Sequence, residues 1–184
     1  MRCFVAIPLP REVKDEVVRV QKELRRLDLH AKWVEQDNLH VTMKFLGQVQ
    51  EADLDKAKQI VSGISSFARP FCLKLSGLGA FPDVRRPRVL WIGISPQDNP
   101  VAIISHLEDG FIDLGIPKEK RTPHPHITMA RVKSPKNTQR LKQALSELKL
   151  ENLKWDVEGI TLFRSLLKPS GPVYEEILTA HLTV

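Results

Sequence analysis

The sequence predicts an α+β fold: two pseudo-symmetric lobes of mostly antiparallel sheet, with outer helices and a cleft between the lobes. Two observations carry that prediction. Blocks of the sequence recur in the same order in both halves, and strand-like runs alternate with amphipathic helical ones. Arg2–Pro10 (RCFVAIPLP) and Arg88–Pro96 (RVLWIGISP) each open on Arg, close on Pro and are largely apolar between, at an offset of 86 residues. The same offset carries His40-Val41-Thr42-Met43 onto His126-Ile127-Thr128-Met129. Gly77-Leu78-Gly79-Ala80-Phe81 resembles Gly159-Ile160-Thr161-Leu162-Phe163 at an offset of 82, a difference that one loop's change of length would explain. The 184 residues therefore read as one bilobal unit whose repeats run roughly over 1–87 and 88–184.

Each element follows from local pattern. Arg2 to Pro10 is a strand too short in its apolar stretch to be a signal peptide. From Arg11 to Leu29, Val13, Val17, Val20, Leu24 and Leu27 fall at helical spacing among charged residues. Further helices are predicted over Glu51–Phe67, Val101–Leu114 and Asn137–Leu150, with strands in the gaps, two of them bearing His40 and His126. The Pro- and Arg-rich stretch from Pro82 to Pro87 reads as the hinge or loop between lobes.

Composition narrows the class. At 42% hydrophobic and 27% charged residues, the chain has enough apolar material for a core and no signature of disorder. An excess of 28 Lys and Arg over 22 Asp and Glu favours an anionic partner without naming it. Cys3 and Cys72 form no CxxC pair, so both read as reduced core residues and neither a disulfide framework nor a zinc knuckle is expected. No 18-residue apolar run occurs, and a cytoplasmic monomer with no membrane partner is the expectation.

Six histidines occur, and three open the pattern His-x-Thr-x: His40, His126 and His181. On a strand, residues i and i+2 share a face, so imidazole and hydroxyl stand side by side while Val41 or Ile127 turns to the core. His181 fits no repeat and reads as a decoy at the chain end. Lobes related by a two-fold would bring His40-Thr42 and His126-Thr128 to one cleft from opposite sides. Opening a cyclic phosphodiester requires one group to deprotonate water and another, across phosphorus, to protonate the departing oxygen. Two imidazoles suit that task without a metal or cofactor, because an ordinary pKa of about 6.5 lets one be charged and the other neutral. The Thr42 and Thr128 hydroxyls could hold the non-bridging oxygens.

The stretches from Asn38 to Gly47 (NLHVTMKFLG) and from Pro125 to Arg131 (PHITMAR) resemble the paired motifs of the two-histidine phosphoesterase superfamily, in particular its LigT-like RNA 2′,3′-cyclic phosphodiesterases. The resemblance extends from Arg2 to Ser165. It implies a bilobal fold and hydrolysis of a terminal 2′,3′-cyclic phosphate, on RNA or a nucleotide, to a 2′-phosphate. It also implies that the first histidine, His40, is proton donor and the second, His126, proton acceptor, and that reversible 2′–5′ RNA ligation is a secondary activity. The near-symmetric pair does not itself assign those directions.

Arg131 closes the second motif and is the candidate cation for the phosphate. It lies five residues after His126, which in a regular strand puts it on the opposite face unless the strand bends. Phe45 takes its place in the first copy. Trp33, Phe45, Trp91 and Tyr174 read as core aromatics, His30 and His106 as surface residues without partners, and the basic clusters Arg85-Arg86-Arg88, Lys118-Lys120-Arg121 and Lys133-Lys136 as solvated loops. Two rival readings stay open: a metal-dependent phosphodiesterase holding its ion through His124 and His126, and a non-catalytic basic RNA-binding module.

Overall fold

The computed structural model describes all residues except Pro135, Ser170 and Val184. The last of these ends the third His-x-Thr-x copy, so that residue of the motif lies outside the described part. Among the described residues nine strands form one sheet: β1 (Arg2–Pro8), β2 (Ala31–Trp33), β3 (His40–Gln48), β4 (Phe71–Phe81), β5 (Val89–Ser95), β6 (His126–Val132), β7 (Lys154–Val157), β8 (Gly159–Lys168) and β9 (Gly171–His181). Four α-helices among the described residues accompany them: α1 (Arg11–Arg25), α2 (Leu54–Ser62), α3 (Asp98–Gly110) and α4 (Thr138–Glu147). The sheet order is β7-β4-β5-β6-β3-β1-β8-β9, with β2 added along β6, and the strand pairings are antiparallel.

That order is symmetric about the β6–β3 seam. One lobe is β3, β1, β8 and β9, and the other is β6, β5, β4 and β7. The lobes are therefore not the two halves of the chain. β4, from the first repeat, pairs with β5 of the second, while β8, from the second, returns to pair with β1 of the first. The helices cross over likewise: α3 packs on β3, and Gln21 of α1 reaches Met129 of β6.

The Pro82–Pro87 segment is corrected by this topology. It closes the β4–β5 hairpin within one lobe, where Arg88 N donates to the Phe81 carbonyl at 2.7 Å, and so does not link the lobes. Asp83 accepts from the backbone N–H groups of Arg85 and Arg86, so an aspartate turn shapes the loop.

Helix boundaries also shift. α1 stops at Arg25, and Asp28 takes a left-handed φ of 51°. α3 begins at Asp98, ahead of the expected Val101, because Pro100 falls in the first turn, where a missing N–H costs nothing. The predicted Glu51–Phe67 segment is helical as far as Ser66, but only Leu54–Ser62 is α-helix, flanked by 3₁₀ turns.

The main core lies between the helices and one face of the sheet. Val13, Val17, Val20 and Leu24 of α1 and Ile103 and Leu107 of α3 meet Val5, Ile7, Val41, Ile92, Ile127 and Met129 there, all buried. Apolar burial of this kind contributes roughly 25 cal/mol per Å². The other face carries a small separate cluster, Phe4, Ala6 and Phe163 with Tyr174 against them, beneath the cleft. Cys3 is buried as expected, whereas Cys72 is exposed, because on β4 Phe71, Leu73 and Leu75 take the inward positions.

Candidate active site

β3 and β6 meet at one point, Val41 opposite Ile127, and both of these side chains turn fully into the core. The residues on either side, His40 and Thr42 on β3 and His126 and Thr128 on β6, consequently share the other face. By antiparallel register His40 stands beside Thr128 and Thr42 beside His126. The imidazoles are then diagonal neighbours, with Cα atoms about 7–8 Å apart for such a pair. All four predicted residues meet here, each half-buried.

The rings are held alike. Nδ1 of His40 donates to the Asn38 carbonyl at 2.7 Å and Nδ1 of His126 to the His124 carbonyl at 2.6 Å. A carbonyl can only accept, so the proton of each neutral ring sits on Nδ1 and the lone pair on Nε2. In the first lobe the Thr42 hydroxyl donates to His40 Nε2 at 2.9 Å. Burial pushes the His40 imidazole down to about 4, against the opposing pull of the Asn38 carbonyl, with Lys14 and His126 lowering it further. Burial likewise lowers His126, opposed by the His124 carbonyl, with the neighbouring His124 and Arg131 adding to the fall.

Aromatic rings wall both imidazoles. Phe4 lies 4.9 Å and Tyr174 5.5 Å from His40, ring centre to ring centre, and Phe81 lies 5.0 Å and Trp91 6.2 Å from His126. Phe163 stacks on Phe4 at 5.2 Å, as Phe81 lies against Trp91 at 5.1 Å. Gly79 makes room for the indole, since a Cβ there would fall 2.2 Å from Trp91 Cζ2. Trp91 and Tyr174 are thus site walls, and Phe45 is 63% exposed, so none of these three is a simple core aromatic. Trp33 instead lies 5.0 Å beneath the Arg25 guanidinium. Phe81 and Phe163 belong to the block repeated at an offset of 82 and are the site residues that sequence reasoning passes over.

Strand pairing resolves the parity of Arg131. Leu90 faces Ala130 but Trp91 faces Thr128, leaving Met129 as the extra residue of a β-bulge. Met129 and Ala130 are both buried, so alternation resumes one residue late and exposed Arg131 returns to the histidine face. β3 carries the same device: Val5 faces Lys44, Ala6 faces Thr42, Met43 is extra, and Phe45 returns to the His40 face. These registers also place β1 against β5 at an offset of 85, with Ala6 corresponding to Trp91. The offset of 86 read from the sequence holds for the histidine strands but not for this pair.

Each bulge is fastened from the helix side. Buried Gln21 donates to the carbonyls of Val34 and Met129, both at 2.9 Å. At the corresponding place in the other lobe, Glu108 pairs with buried Lys44 at 2.7 Å and accepts from Glu119 N at 2.9 Å.

The remaining histidines lie elsewhere. His30 Nδ1 is 3.1 Å from the Ser134 hydroxyl at the surface. His106, expected to lack a partner, donates to the Ile60 carbonyl at 3.2 Å between α2 and α3. His181 ends β9 opposite Gly159, away from the seam. The rings of His124 and His126 are 6.0 Å apart, with Nδ1 of His126 already bonded, and no group of three or more His, Cys, Asp or Glu arranged for a metal occurs among the described residues. No helix among them is long and apolar enough to cross a membrane.

The LigT like Phosphoesterase family model matches residues 7–91 and again 92–174, recovering the duplication. An RNA 2′,3′-cyclic phosphodiesterase of Methanothermobacter thermautotrophicus is 34% identical over 178 residues, 96% of each chain. One of Methanocaldococcus jannaschii is 35% identical over 178 residues, 96% of this chain and 98% of that one. A crystal structure of a Thermus thermophilus protein superposes with a TM-score of 0.82 at 31% identity, covering 99% of this chain and 98% of that one. With both repeats matched and this identity maintained along almost its whole length, the chain belongs to the LigT-like phosphoesterase family of two-histidine phosphoesterases.

Proposed function

We propose that the chain is an RNA 2′,3′-cyclic phosphodiesterase that opens a terminal 2′,3′-cyclic phosphate to a 2′-phosphate with His40 and His126 and no metal. The observation that carries this reading is the Val41–Ile127 register, which sets two His-Thr pairs on one face, each ring bonded to a backbone carbonyl through Nδ1 and carrying its lone pair on Nε2. Water attacks phosphorus while His126 Nε2 takes its proton. The P–O3′ bond breaks, and His40 Nε2–H protonates O3′, giving a 2′-phosphate and a 3′ hydroxyl. Solvent exchange then restores both rings. The donor and acceptor directions follow the family resemblance. Thr42 and Thr128 hydrogen-bond the non-bridging oxygens, and Arg131 supplies the positive charge. The same two groups run 2′–5′ ligation when a 5′ hydroxyl attacks the cyclic phosphate in place of water.

Burial holds His40 neutral in the free protein, so the acid form is made by the substrate: an anion beside the ring favours its charged state. The test is incubation with RNA ending in a 2′,3′-cyclic phosphate, with and without EDTA, and identification of the product. A 2′-phosphate formed equally fast in EDTA, with His40→Ala and His126→Ala each slower by at least about 100-fold, is the expected outcome. Loss in EDTA and rescue by a divalent ion would instead support metal binding at His124 and His126. RNA bound without turnover would leave only a binding module.

A further inference from the structure

Beside the histidine pair lies a cavity of about 410 Å³, and of the residues lining it the hydrolytic step uses only Arg131. Its walls include Arg2 and Phe4 of β1, Phe45 of β3, Lys32 of β2, Arg131 of β6 and Tyr174 of β9. Arg2, Lys32 and Arg131 are exposed and converge from both lobes, and no Asp or Glu lines the cavity among the described residues. The nearby Glu175 is held by Arg164 at 2.6 Å, while Glu35 lines the adjoining hollow that shares Lys32, Arg131 and Tyr174. The cavity on the other side of the histidines, about 200 Å³, is different: Glu108 and Glu119 offset Lys44 and Arg121 in its walls. The pseudo-two-fold relates the catalytic strands but not the charge beside them.

The direction of the reaction gives this asymmetry a meaning. In the proposed hydrolysis the leaving group is O3′ of the ribose, so the nucleoside and everything 5′ to it lie on the side of the proton donor. His40 is in ring contact with Phe4 and Tyr174, which are two walls of the cationic cavity. We infer that this cavity holds the phosphodiester 5′ to the reacting end of an RNA chain, with Arg2 and Lys32 as its cations, so that the enzyme favours a chain end over a free cyclic nucleotide. The inference rests on the hydrolytic reading above and on His40 as the donor. Were the roles reversed, the RNA chain would lie toward the other cavity, where Glu108 and Glu119 cancel the charge of Lys44 and Arg121.

The experiment compares a mononucleoside 2′,3′-cyclic phosphate, which carries only the reacting phosphate, with a trinucleotide ending in one, for the native chain, Arg2→Ala, Lys32→Ala and the double variant. The native chain should have the higher kcat/KM on the trinucleotide at low salt, and the double variant should lower the trinucleotide-to-mononucleoside ratio about tenfold. Equilibrium binding of a labelled RNA ending in a 3′-phosphate gives a second readout. Each lost phosphate contact should flatten the slope of log K against log salt by about 0.7. Unchanged ratio and slope overturn the inference, as does an equal loss on both substrates. If the native chain hydrolyses neither substrate, the hydrolytic reading fails, and the salt slopes alone decide whether Arg2 and Lys32 hold RNA.

Discussion

His40 and His126 are held in one tautomer by carbonyls two residues upstream, and burial drives both toward neutrality. That favours the base and opposes the acid until an anion arrives. The pH profile should record this: kcat/KM reports the free enzyme and kcat the complex. The alkaline limb of kcat is expected at higher pH than that of kcat/KM, and coincident limbs would show that the substrate does not raise His40. Stability should respond as well. The unfolded chain takes up a proton at His40 near 6.5, but the folded chain only near 4, so the unfolded state binds more protons between those values. Stability is therefore lost as pH falls from 6.5 to 4 and is independent of His40 above that window. Denaturant midpoints across pH 4 to 7 for the native chain and His40→Gln measure it, with a flatter dependence expected for the variant.

Among the elements, the paired bulges matter most, because they set which residues join the histidines. A regular β6 would bury Arg131 or turn it to the helices; the extra residue Met129 returns it to the cleft. Gln21 of α1 fastens that irregularity through a side-chain amide whose two N–H donors are both used. Replacing it with Leu leaves the Val34 carbonyl without its amide donor and frees the bulge, at a cost of about 1–3 kcal/mol in stability. The kinetic signature should be a KM for cyclic phosphate raised about tenfold, equivalent to 1.4 kcal/mol, with a smaller change in kcat and an unshifted pH profile. A loss confined to stability would make Gln21 a packing residue only.

For the whole molecule, the exchange of β4 and β8 between repeats governs how the chain can fold. Residues 1–87 alone would keep only the β1–β3 pairing, with β4 parted from β5 and β7, β1 from β8, and β2 and β3 from β6, leaving open edges in place of a continuous sheet. The separate pieces 1–87 and 88–184 are expected to be largely unfolded by circular dichroism and to regain strand signal and activity when refolded together. A stable, folded 1–87 fragment would show that the repeats are independent units.

The duplication, the helical and strand segments and the four residues His40, Thr42, His126 and Thr128 were legible in the sequence, because each depends on local periodicity or on residue types at a fixed spacing. Arg131 was legible as a cation but not as a partner of the histidines, since its facing depends on a bulge that strand alternation cannot reveal. The 82-residue match singles out Phe81 and Phe163, yet their role needed the pairing of β4 with β5 and β8 with β1. Gln21, Arg2 and Lys32 carried no motif at all. Their placement depends on contacts between segments far apart in the chain, and only the tertiary fold brings those together. The sequence by itself thus determined the histidine pair and its repeat, while the tertiary structure decided which side of that pair is cationic and how Arg131 reaches it.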